Sequence, residues 1–140
     1  MDASIIYESM TGTTKLAASL IADNLYRYGV ESTVFPITAY NPDEVAKADL
    51  VIVGSWTDGF LVVGQRPGRA KRFDALPDLS GKRAAVYCTY AINPGKTLEK
   101  LSAVVAGHGA EVIGGMALHR KRLSTEASEF ADRLMSVVRA

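Results

Sequence analysis

Ser4-Ile5-Ile6-Tyr7-Glu8-Ser9-Met10-Thr11-Gly12-Thr13-Thr14-Lys15-Leu16-Ala17-Ala18 runs from an apolar strand, through a hydroxyl-rich turn, into an amphipathic helix. Four hydroxyls, on Ser9, Thr11, Thr13 and Thr14, and one glycine surround the mouth of that helix. The first amides of a helix lack intrahelical acceptors, and the helix dipole is positive at that end. Hydroxyls add further donors for phosphate oxygens. Such a cluster reads either as an N-cap or as a phosphate site; a cap needs one hydroxyl, and four favour a phosphate monoester as ligand.

The rest of the chain alternates in the same manner. Strands are expected at Ser4–Tyr7, Ser32–Ile37, Asp49–Ser55, Arg83–Tyr90 and Glu111–Leu118, rich in Val, Ile and Tyr. Helices are expected at about Thr14–Tyr28, closed by Gly29, at Pro42–Lys47, from Pro67 onward, at Pro94–Ala106, and from a Ser124 cap to Val138. This alternation predicts a parallel sheet covered by helices on both faces. Val51-Ile52-Val53 and Ala84-Ala85-Val86-Tyr87 are near-continuous apolar runs, as in central strands. Pro36 and the Gly114-Gly115 pair place the second and fifth strands at the edges. The predicted fold is therefore an α/β three-layer sandwich with a five-stranded parallel sheet in the order 2-1-3-4-5. Ligands of such sheets bind beyond the carboxyl ends of the strands, at the switch point between strands one and three. The Ser9–Thr14 loop and the Gly54-Ser55-Trp56-Thr57-Asp58-Gly59 segment flank that crevice.

Composition narrows the classes of function. The chain has 140 residues, one domain's length, with 48% hydrophobic and 22% charged residues. A net charge of +1 gives no general signal for nucleic acid or an anionic membrane. No apolar run is long enough for a membrane span, and Met1-Asp2-Ala3 does not begin a signal peptide. The single Cys88 fits a reducing compartment, so a cytoplasmic location is expected. One Cys and two distant His residues do not make a metal site. No nucleophile–base constellation is visible.

The opening stretch resembles the FMN-phosphate signature of the flavodoxin family: an aliphatic pair, an aromatic, a Ser/Thr-rich loop around Gly, a Thr, then Ala in the helix. The resemblance implies a flavodoxin-like fold, non-covalent FMN and single-electron transfer between redox partner proteins. It implies that Ser9, Met10, Thr11, Gly12, Thr13 and Thr14 wrap the FMN phosphate. Ser55, Trp56, Thr57, Asp58 and Gly59 would meet the flavin ring, with Trp56 stacked on it and the Asp58-Gly59 turn as the peptide that flips on reduction. Cys88, Thr89, Tyr90, Asn93 and Gly95, after strand four, would hold the pyrimidine edge, with Tyr90 over the other ring face. The chain departs from the family in carrying Met10 in place of a hydroxyl, a loop after strand four without acidic residues, and a nearly neutral balance of charge. Two basic runs, Gln65–Arg72 and Arg120-Lys121-Arg122, read either as solvated faces or as features that make the potential less negative and favour an acidic partner. Two other functions use related features: an FMN-dependent quinone or protoporphyrinogen-type oxidoreductase, and a flavin-free interaction module.

Overall fold

The strands sort their side chains by the period of two that a pleated backbone imposes. Ile5 and Tyr7 point to one side of the sheet and Ile6 to the other; Leu50 and Ile52 oppose Val51 and Val53 in the same way. Two apolar layers result. A computed structural model describes residues 1–60 and 63–140. In it β1 (Asp2–Tyr7), β2 (Glu31–Pro36), β3 (Leu50–Phe60), β5 (Arg83–Tyr90) and β6 (Glu111–His119) form the parallel sheet, in the order β2-β1-β3-β5-β6. A further strand, β4 (Val63–Pro67), pairs antiparallel with the end of β3. The helices are α1 (Thr13–Tyr26), α2 (Pro42–Lys47), α3 (Thr97–Gly107) and α4 (Leu123–Val138). α1 and α4 bury Ile21, Leu25, Phe130 and Leu134 against one face; α2, α3 and a 3-10 turn at Ala70–Ala75 bury Val45, Phe73, Leu101 and Val105 against the other.

The five parallel strands stand in the expected order, with Pro36 and Gly114-Gly115 on the two edges. The register of β5 on β6 shifts between Ala84 and Ala85, beside the glycine pair, as glycine in a strand interior often signals. The amides of Gly29 and Val30 bond back to Tyr26 and Leu25, the pairing of a Schellman end. No helix among the described residues is long and apolar enough to cross a membrane.

Three expectations are corrected. Pro67 does not open a helix: it ends β4, and a six-residue 3-10 turn follows. The segment Gly54–Gly59 is not a loop but the continuation of β3: Gly54, Ser55 and Trp56 still pair with β5, Thr57 and Asp58 pair with β4, and Asp58-Gly59 is a bulge in that hairpin rather than its turn. The last two helices begin at Thr97 and Leu123, the latter after Arg122 and without a side-chain cap.

Candidate functional site

The site is built at the carboxyl ends of β1, β3 and β5, as the strand order requires. Gly12 precedes α1 with φ +97°, a left-handed conformation that glycine adopts without strain. Its amide donates to the Ser9 hydroxyl at 3.0 Å, which closes the loop on itself. The first amide bonded within the helix is that of Leu16, to the Gly12 carbonyl at 2.9 Å. Among the described residues the amides of Thr13, Thr14 and Lys15 therefore have no acceptor. Thr14 faces inward: its hydroxyl meets that of Thr89 at 2.9 Å, and its carbonyl accepts the Tyr87 hydroxyl at 2.9 Å. These two bonds fasten the mouth of α1 to β5.

Thr11, Thr13, Trp56, Thr57, Thr89, Tyr90, Ala91 and Arg120 line one open cleft of about 110 Å³. An adjoining cleft of about 140 Å³ is lined by Thr57, Gly59, Gln65, Ala91, Ile92 and Asn93. The two share Thr57 and Ala91, so the hairpin and the loop after β5 form facing walls of one groove. Trp56 is half-buried, and its indole lies on Gly68: a Cβ built there would sit 2.0 Å from Trp56 Cε2. The Gly68 amide donates to the Trp56 carbonyl at 2.8 Å, and the Ser55 hydroxyl donates to the Gly68 carbonyl at 3.1 Å. The indole Nε1 is buried and has no acceptor among the described residues. Tyr90 is held from the far side by an edge-on contact with His119, ring centroids 5.1 Å apart.

The sequence-derived residues thus divide. Thr11, Thr13, Trp56, Thr57, Gly59, Thr89, Tyr90 and Asn93 line the groove. Thr14 and Ser55 direct their hydroxyls into internal hydrogen bonds, whereas the Ser9 oxygen accepts the Gly12 amide and keeps its O–H to donate. Met10 is exposed, and Asp58 is paired with Arg66 at 3.2 Å. Gly95 packs against the Gln65 side chain, where a Cβ would lie 2.6 Å from its Oε1. Cys88 is buried, and burial pushes its thiol up to about 11. A raised thiol favours the folded state below the unfolded value of about 9 and loses that contribution as pH climbs toward about 11. At pH 8 a thiol reagent should modify Cys88 far faster in denaturant than in the native protein; equal rates would contradict its burial.

The Gln65–Arg72 run is neither a solvated helix face nor an open basic patch. Glu8 is only 3% exposed and accepts Arg69 at 2.9 Å and Arg72 at 3.0 Å. With Arg66 on Asp58, three of the run's four cations are paired. Arg120 is a wall residue that the sequence offered only as part of a basic run, either a solvated face or a feature that tunes potential and partner, and not as part of the groove. Its position just beyond the carboxyl end of β6 was the available signal.

The donor set suits a phosphorylated planar cofactor: free amides and hydroxyls at a helix mouth, then a flat groove flanked by Trp56 and Tyr90. The family profile described as flavodoxin matches residues 5–131. The chain is 27% identical over 109 residues to a flavodoxin of Clostridium beijerinckii, covering 78% of this chain and 79% of that one. A solved flavodoxin of Streptococcus pneumoniae TIGR4 superposes with a TM-score of 0.70 at 25% identity, over 95% of this chain and 99% of that one. A variant of the Pseudomonas aeruginosa flavodoxin shares the fold, with a TM-score of 0.75 at 17% identity over 100% of both chains. The chain belongs to the flavodoxin family, whose members bind FMN and carry electrons.

Proposed function

We propose that one FMN lies along the groove, with its phosphate on Thr11, Thr13 and the free amides of α1, and its ring between the β3–β4 hairpin and the loop after β5. The observation that carries this seating is the convergence of Thr11, Thr13, Trp56, Thr57, Thr89 and Tyr90 on one cleft from three distant segments. FMN, when bound, supplies the one-electron chemistry. The chain's residues bind, orient and shield it. Thr14 and Tyr87 hold the phosphate loop on β5, so its donors are in place before the ligand arrives. Trp56 is fixed by Gly68 on one side and offers a large apolar surface that keeps water from the ring. Gly59, at φ +131° in the bulge, gives the Asp58-Gly59 peptide the freedom to turn over on reduction, while Arg66 holds the Asp58 carboxylate.

On this reading the protein is a cytoplasmic, single-domain carrier that passes single electrons between a reductase and an acceptor protein. Titration of the folded apoprotein with FMN should give saturable binding at one site, and NADH or NADPH alone should not drive steady quinone turnover. Absence of binding removes the cofactor reading. Binding with fast quinone turnover instead makes the protein an enzyme.

A further inference from the structure

The seating proposed above leaves a dianion facing a loop that offers only neutral donors. We infer that Arg120 supplies the missing positive charge, its guanidinium pairing with the FMN phosphate. This assignment rests on the groove being the FMN site.

Arg120 lines the same cleft as Thr11 and Thr13. It arrives there from beyond β6, more than 100 positions along the chain from the phosphate loop. Its backbone is pinned: the Arg120 amide donates to the Tyr90 carbonyl at 2.9 Å, and the Lys121 amide to His119 Nδ1 at 3.1 Å. The preceding amide, of His119, is held by the Glu126 carboxylate at 3.1 Å. The root of the side chain is therefore fixed at the rim of the cleft.

The neighbouring arginines are committed elsewhere. Arg66 meets Asp58, Arg69 and Arg72 meet Glu8, and Arg122 meets Glu126 at 3.5 Å. Among the described residues the Arg120 guanidinium has no carboxylate or carbonyl partner. An exposed arginine without a partner is ordinarily just solvated. Here it stands beside three unpartnered helix amides and two threonines, all of which favour an anion at the same point. A planar guanidinium presents a parallel fork of donors that matches two phosphate oxygens, whereas an ammonium acts as a point charge.

The test compares FMN with riboflavin, which lacks the phosphate, by calorimetry on the apoprotein. For R120Q the FMN dissociation constant should rise about tenfold, the low end for a charge-assisted bond at an exposed site. Riboflavin affinity should be unchanged. The salt dependence of FMN binding should flatten in R120Q and persist in R120K. An equal loss for both flavins, or no loss for FMN, overturns the assignment to Arg120 while the groove remains the FMN site. If the wild-type protein binds neither flavin, the seating itself fails and Arg120 with it. Thermal unfolding of R120Q should match the wild type, since its side chain makes no bond within the fold.

Discussion

Gly54→Ala should lower stability by about 3 kcal/mol, the upper end for overpacking a core, and loosen the phosphate loop in the same step. A Cβ at Gly54 would lie 2.0 Å from Tyr87 Cζ and 2.5 Å from its hydroxyl oxygen. Tyr87 cannot move aside, because it is fully buried and packs on Phe130. Its hydroxyl is pushed well above the usual tyrosine range by burial, so it remains a donor to the Thr14 carbonyl. Gly54 also accepts the Glu8 amide at 3.0 Å. One methyl group therefore strains the sheet, the ring and the mouth of α1 together. Urea unfolding should give a lower midpoint at unchanged slope. FMN affinity should fall as well, while Tyr87→Phe, which removes only the hydroxyl, should cost about 1 kcal/mol. A wild-type midpoint for Gly54→Ala would show that the ring is not wedged as described.

Replacing Arg69 and Arg72 together by methionine should cost about 3 kcal/mol, the lower end for stranding a buried charge, because both guanidinium groups are half-exposed. Glu8 then remains buried at 3% exposure with no cation near it. The backbone of Arg69 indicates how closely this contact is built: at φ 49° it is the one non-glycine residue with positive φ among those described. Adding Glu8→Gln to the double variant should restore most of the loss, since a neutral amide is far cheaper to bury. The check is urea unfolding of both variants. A triple variant no more stable than the double would mean that lost packing of the arginine stems, not stranded charge, sets the cost.

The parts of the site legible in the sequence were those contiguous along it. Strand β1, the phosphate loop and α1 follow one another, so apolar run, hydroxyl cluster and helical stripe could be read in one pass. The edges of the sheet were legible because Pro36 and Gly114-Gly115 state a backbone limit directly. The β3–β4 hairpin was not. Pro67 suits both a helix start and the end of an edge strand, and Ala70, Phe73 and Leu76 are three apart, a spacing that serves a 3-10 turn as well as an α-helix. The partners of Glu8 lie 61 and 64 positions away, so nothing local marked them. Arg120 was hidden for the same reason: its place in the groove depends on β6 lying beside β5.

The indole resting on Gly68 is the only one in the chain, and it borders the groove. Excited to the red of tyrosine absorption, its ultraviolet emission consequently reports on a single location. An isoalloxazine nearby would quench it by accepting the excitation. The fold thus carries a built-in optical gauge of cofactor loading, usable without labels at micromolar concentrations and in real time.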